Sequence, residues 1–258
     1  MELNRIYNED CLEGMKRIPD GSVDMILCEL PYGTTECKWD NIIPFDELWG
    51  NYERVIKPGG AIVLTSAQPF TSNLLMSNPG KFKYALVWKK SKIQHFAQAP
   101  YRFLTEHEDI LVFSDGGTAK NAKIRMTYNP QGVVATDKVV KGKKADAHHR
   151  PRKTDQKPYR QTRTGYPKSI LDFKSESNPG HPTQKPLELF EYLIKTYTNE
   201  GETVLDNCMG SGTTAIAAIK TGRNFIGFEL DETYYEKSLE RIKNHTMQTD
   251  IFDVLEVD

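Results

Sequence analysis

No stretch of this sequence approaches the roughly 20 consecutive apolar residues that a membrane-spanning helix needs. The first residues, MELNRIYNED, are too acidic and too poor in apolar side chains for a secretory leader, so a cytoplasmic address is expected. Cysteine is scarce. The four, at 11, 28, 37 and 208, form no Cys-x-x-Cys pair and have no His-x-x-x-His partner nearby, which speaks against a disulfide framework and a zinc site. Reduced thiols, mostly buried or incidental, are the expectation. An internal repeat is also missing. What remains is a chain of 258 residues, 38% hydrophobic and 27% charged, long enough for one large domain or a core with an inserted subdomain.

A net charge of −1 conceals an asymmetry. Residues 115–176 carry 15 Lys or Arg against 6 Asp or Glu, so one segment concentrates nearly all the positive field beside an acidic body. Such a segment suits a polyanionic partner. It also has few apolar runs and prolines at 130, 151, 158 and 167, and it is too long for an ordinary connection. It reads either as a functional insertion or as a solvated basic linker.

On both sides of it, strand-like and helix-like signals alternate. Strands are expected over 3–8, 23–28, 61–65, 85–88 and 109–113, and after the insertion over 203–206 and 224–229. Helices are expected over 11–18, 45–56, from about Pro69, and over 186–198, 212–221 and 231–244. Repeated β-then-α units imply a mostly parallel sheet covered on both faces. Trp88 continues an apolar strand and reads as core rather than as a DNA contact, although Lys89, Lys90 and the tract 95–102 could face a nucleic acid.

Two places in this scheme carry chemistry. CELPYGTTECKW, residues 28–39, ends a buried strand in a carboxylate, a proline and an aromatic ring. Pro31 cannot continue a ladder and Gly33 permits a sharp turn, at the strand end where open α/β sheets bind ligands. The second place is VLDNCMGSGTT, residues 204–214, a strand, a glycine turn and a helix start. Gly210 and Gly212 allow close approach of a ligand to the backbone. No Lys follows Gly212, so this is not a nucleotide-triphosphate loop, and the third glycine of the dinucleotide fingerprint is missing. Glu229 ends the next strand, where a carboxylate accepts hydrogen bonds from ribose hydroxyls. Helix capping is the plainer alternative for Glu229, Asp231 and Asp206.

Together these pieces resemble the β-class amino-methyltransferases of DNA, of the adenine-N6 kind found in restriction-modification systems. The order is the same: ELPYG at 29–33, the basic insertion, then HPTQKP at 181–186 and DNCMGSGTT at 206–214. The resemblance implies a Rossmann-like S-adenosylmethionine-dependent methyltransferase fold. Residues 1–114 would form the catalytic half, 115–176 the inserted target-recognition region, and 177–258 the cofactor half of the same domain. Asp206, Gly210, Ser211, Gly212 and Thr213 resemble the turn that binds the methionine end of the cofactor. Glu229, with Leu230 beside it, matches the ribose site, and Asp10 and Cys11 match the place of the adenine ring. His181, Thr183 and Lys185 lie in the motif adjoining the cofactor, although a loop histidine before a helix-starting proline is the plain alternative for His181.

By the same resemblance, Glu29, Leu30, Pro31 and Tyr32 are the catalytic motif. Glu29 and a backbone carbonyl of Leu30 or Pro31 would accept the two N–H groups of an exocyclic amine, and Tyr32 would stack on a base turned out of the duplex. One departure matters: the family has Asp, Asn or Ser where this chain has Glu29. An acid there points to adenine over cytosine, with a cytosine-N4 enzyme as the alternative, while its extra methylene leaves three readings: a working variant, a slow enzyme, or a catalytically impaired protein that binds cofactor and DNA. An RNA or protein-glutamine methyltransferase is a more distant rival. DNA is the implied partner, through 115–176 and nearby loops, with Lys141 to Lys144 and His148 to Lys153 on phosphates and Arg160 and Arg163 as base readers. No membrane is implied, and a homodimer is left open.

Overall fold

The computed structural model describes residues 1–37, 40–142, 157–176 and 184–255. They fall into two compact units, residues 1–129 with 169–258 and residues 130–168.

The first unit is built on an eight-stranded sheet. In chain order its elements are β1 (Arg5–Asn8), α1 (Cys11–Met15), β2 (Val23–Glu29), α2 (Phe45–Val55), β3 (Ile56–Ser66), α3 (Phe70–Ser77), β4 (Phe82–Gln94) and β5 (Thr105–Phe113). In the second unit lie β6 (Val134–Val140) and β7 (Tyr159–Thr164), followed back in the first by β8 (Ile170–Asp172), α4 (Leu187–Tyr197), β9 (Thr203–Asp206), α5 (Thr213–Lys220), β10 (Asn224–Glu229) and α6 (Glu232–Leu255). The sheet order is β1-β10-β9-β2-β3-β5-β4-β8, with only β5 antiparallel to its neighbours.

Local chemistry accounts for the boundaries. The Asp10 carboxylate caps α1 by accepting from the Leu12 and Glu13 N–H groups. Pro44, Pro69 and Pro186 each directly precede a helix, where a missing N–H costs nothing. Helix α2 buries Leu48, Trp49, Tyr52 and Val55, and α4 buries Leu189, Phe190, Leu193, Ile194 and Tyr197, the spacing of one helical face. Strand β2 is buried on both faces until Glu29, as a central parallel strand should be. Its alternate residues feed two cores: Met25 and Leu27 pack with α4 and α5, while Ile26 and Cys28 pack with α1, α2 and α3. Fully burying each such side chain contributes about 1.5–3 kcal/mol.

Strand β4 runs well past its apolar stretch at both ends, and Ile170–Asp172 from the basic segment adds to it as an edge strand. Trp88 is 2% exposed and donates to the Phe173 carbonyl oxygen, so it is a core residue. The second unit contains a β6-β7 hairpin in which Arg160 forms a bidentate pair with Asp137. No helix among the described residues is long and apolar enough to cross a membrane.

Candidate active site

Strands β1, β10, β9, β2 and β3 are mutually parallel, and β4 runs in the same sense, so their C-terminal ends share one edge. Glu29, Asp206 and Glu229 are the last residues of β2, β9 and β10, and Asp10 follows the end of β1. The chain leaves β2 through α2 toward β3 and leaves β9 through α5 toward β10. The adjacent β2 and β9 therefore bracket the point where connections diverge, the usual ligand crevice of an open α/β sheet.

A cavity of about 340 Å³ opens there. Its lining includes Asp10, Cys11, Glu29, Leu30, Pro31, Tyr32, Lys185, Asp206, Gly210, Ser211, Thr213, Glu229 and Leu230. The stretch from Glu29 to Tyr32 and the glycine turn after β9 thus meet in one space. Gly212, the residue before α5, is not part of the lining, and His181 and Thr183 lie outside the described residues. Among the described residues no cluster of His, Cys, Asp or Glu could hold a metal ion.

The turn after β9 is held from several directions. Gly210 and Gly212 have φ of 54° and 80°, and a Cβ on Gly212 would stand 3.2 Å from the Ser238 Cβ on α6. The Glu229 carboxylate accepts from the Gly210 N–H at 2.6 Å and the Asp231 N–H at 2.9 Å. Burial pushes its pKa above the usual carboxylate range, against those two donors. Asp206, 3% exposed, accepts from the Cys208 N–H and the Thr214 hydroxyl, and burial raises its pKa to about 6. Arg241 on α6 donates to the Ser211 carbonyl and hydroxyl oxygens and the Thr213 hydroxyl at 2.9–3.1 Å. Below the turn, the buried Tyr52 hydroxyl donates to Asn207 Oδ1.

At the end of β2, Lys185 meets two carboxylates. Its ammonium, with the side chain 3% exposed, is paired with Glu29 Oε1 and lies 3.1 Å from Glu108 Oε2 on β5. Glu108 is in turn paired with Lys90 on β4. Burial raises the Glu29 pKa, with Lys185 opposing and Glu108 adding to the rise. Burial also acts on Glu108, but Lys185 and Lys90 hold it below the usual range. The Tyr32 ring stacks on Phe70, with centroids 5.1 Å apart and planes at 26°, and its hydroxyl donates to Thr65 Oγ1 at 3.3 Å. Beyond Tyr32 the chain turns around Asp40. That carboxylate accepts from the Gly33, Thr34 and Thr35 N–H groups and the Thr35 hydroxyl at 2.7–2.9 Å, donors that together hold its pKa down against burial.

Glu108, Arg241 and Asp40 are the residues that sequence reasoning did not find. Glu108 and Arg241 meet partners far away in the chain and carry no local signal. The Gly33 turn pointed to the loop that Asp40 closes, but not to Asp40.

A family model described as DNA methylase matches residues 23–240. The DNA adenine methyltransferase YhdJ of Escherichia coli (strain K12) is 29% identical over 259 residues, covering 93% of this chain and 83% of its own. The Type II methyltransferase M1.MboII of Moraxella bovis is 26% identical over 260 residues, with coverage of 92% and 96%. Among solved structures, M1.HpyAVI in complex with SAM superimposes with a TM-score of 0.60 at 23% identity, covering 92% of this chain and 98% of that one. The cytosine-N4-specific PvuII DNA methyltransferase gives 0.65 at 17% identity, with coverage of 96% and 90%. At these identities the solved structures establish a shared fold.

Proposed function

The chain belongs to the N6/N4 DNA methylase family, and from that premise we propose that it transfers a methyl group from S-adenosylmethionine to the N6 amine of an adenine turned out of duplex DNA. The observation that carries this reading is the single cavity into which both Glu29 of β2 and the Glu229-bound turn after β9 open. Its charge suits the cofactor. Among the described residues, Glu9, Asp10, Glu29, Asp40, Asp206 and Glu229 line it against Lys185 alone of the basic ones, and the cofactor brings a sulfonium and an ammonium. A volume of about 340 Å³ is in the range of small-molecule sites, commonly about 300–1,000 Å³.

In this reading Glu229 accepts from the ribose hydroxyls, Asp10 with Cys11 borders the adenine ring, and the turn from Asp206 to Thr213 holds the methionine end. S-adenosylmethionine, when bound, supplies an electrophilic methyl group. The chain's own part is to make a poor nucleophile attack. An adenine amine is delocalised into its ring. Glu29 and the carbonyl of Leu30 or Pro31, accepting its two N–H groups, favour the pyramidal form, and Glu29 takes the proton the nitrogen sheds. Tyr32, backed by Phe70, presents a ring on which the base stacks. The basic segment 115–176 holds DNA phosphates, a contact that fixes register and weakens with salt.

Adenine is favoured over cytosine by the acid at position 29 and by the named activity of the E. coli relative. A non-catalytic binder is the second reading, favoured because Lys185 already occupies one oxygen of Glu29. Transfer of labelled methyl from S-adenosylmethionine to mixed-sequence duplex DNA, with identification of the modified base, tests all three. N6-methyladenine is the expected product. N4-methylcytosine would replace the adenine reading. Cofactor and DNA binding without label, with label appearing in Glu29→Asp, would establish the second reading.

A further inference from the structure

Four charges form a chain across three strands and the segment ahead of α4: Lys90, Glu108, Lys185 and Glu29. Their side chains are 9%, 12%, 3% and 22% exposed, so the chain is buried except at the end that lines the cavity. Buried ion pairs are weak sources of stability, because desolvation offsets most of the attraction. An alternating row of them running into a reaction site calls for another explanation.

Lys185 supplies it. The Glu29 carboxylate hangs on a side chain with several rotatable bonds. An unrestrained carboxylate there would sweep through positions that miss the amine. Pairing Oε1 with a buried ammonium removes that freedom and leaves Oε2 for the base. Glu108 Oε2 stands 3.1 Å from the same ammonium, and Lys90 is paired with the other Glu108 oxygen.

We propose that Glu108 is a positioning residue for the amine acceptor: it holds Lys185 between two carboxylates, so that Lys185 anchors one oxygen of Glu29 and leaves the other for the base. The inference rests on the reading of Glu29 as amine acceptor. Sharing also limits how strongly Lys185 drains the acceptor of negative charge, so Glu29 stays basic enough to take the amine's proton.

The test follows the titration of Glu29 by carbon NMR in the full chain with carboxyl-labelled glutamate, assigning its signal by loss in Glu29→Gln. Glu29 faces Lys185 ahead of α4, Glu108 on β5, Asp206 on β9 and the Tyr32 phenol, with Lys90 of β4 reaching it through Glu108. Glu108→Gln keeps the shape, removes one repelling charge and leaves the ammonium to Glu29 alone. Its Glu29 midpoint should fall to lower pH. Lys185→Met should move the midpoint the opposite way; should that variant not fold, Glu108→Gln decides alone. In methyl transfer, Glu108→Gln should lower kcat by about tenfold to a hundredfold, the scale of a misplaced reacting group, with KM for the cofactor unchanged. An unmoved midpoint overturns the proposal, as does a moved midpoint with unchanged kcat. If the wild-type protein methylates no DNA, the adenine reading fails, and the midpoint still decides whether Glu108 controls Glu29.

Discussion

Replacing Glu229 by Gln removes a charge from the cofactor half while keeping the side chain's shape. The carboxylate accepts one backbone N–H on each oxygen, from Gly210 and Asp231, and each oxygen retains a lone pair for a ribose hydroxyl. A hydrogen bond to a charged group is worth about 1.5–3 kcal/mol, against about 0.5–1.5 for a neutral one. The amide keeps one acceptor, facing one backbone donor and one hydroxyl, and turns an NH₂ toward the other donor. The net loss in cofactor affinity is therefore about 2–3 kcal/mol, or 30- to 150-fold in Kd, measurable by calorimetry with S-adenosylmethionine or its demethylated product. The pH dependence sharpens the test. Burial raises the Glu229 pKa, so the wild-type carboxylate is lost earlier on acidification than an exposed one, and the gap between wild type and variant should narrow as pH falls. Affinity within twofold of wild type at neutral pH, or a gap independent of pH, would refute the ribose assignment and leave Glu229 as a brace for the turn.

Tyr32→Ala should lower turnover on DNA by about tenfold or more, since stacking a base on an aromatic ring is worth about 1–3 kcal/mol, while calorimetry shows cofactor affinity unchanged. Weakened cofactor binding in that variant would count against the division between catalytic and cofactor motifs. Asp40→Asn leaves a 6%-exposed site with fewer acceptors for four donors and should destabilise the fold by about 2–4 kcal/mol in urea titration. Because the folded carboxyl titrates below its unfolded value, its contribution is complete above about pH 4 and is lost as pH falls through the folded value. The difference between wild type and Asp40→Asn should therefore shrink in acid; a constant difference would contradict the assigned hydrogen bonds. Arg241→Met removes three hydrogen bonds to Ser211 and Thr213 and should weaken cofactor binding with little effect on DNA affinity, read by calorimetry and by a DNA-binding titration.

The sheet was legible in the sequence wherever burial writes a pattern. Strands β2, β9 and β10 are short apolar runs ending in an acid, and their ends could be placed almost to the residue because the apolar run stops there. Strand β4 was legible only over its apolar stretch. Its continuation through Lys89 to Gln94 is largely exposed and pairs with β5 without an apolar face, so periodicity has nothing to report. The strand Ile170–Asp172 is too short to announce itself inside a basic segment. Helix α2 ends at Val55 and the chain goes directly into β3 at Ile56, earlier than the strand expected from residue 61, and a Cβ on Gly60 would stand 2.8 Å from the Asp24 carbonyl oxygen.

The site divides in the same way. Groups that act through the backbone at a strand end, such as Glu229 with the Gly210 turn, are encoded within a few residues of one another and a sequence reader meets them together. Groups that act by pairing charge across the sheet are not. Lys185 was visible as part of HPTQKP, and Lys90 as one of several lysines near a strand, but the link between them passes through Glu108, in the half of β5 that carries no apolar run. Burial decides the matter physically. An ammonium that is 3% exposed must be neutralised by whatever carboxylates the fold brings to it, and two strands, β2 and β5, bring Glu29 and Glu108 from opposite sides. The same constraint fixes Glu29: a carboxylate at the end of β2 reaches the cavity while the buried Lys185 ammonium holds it at one oxygen.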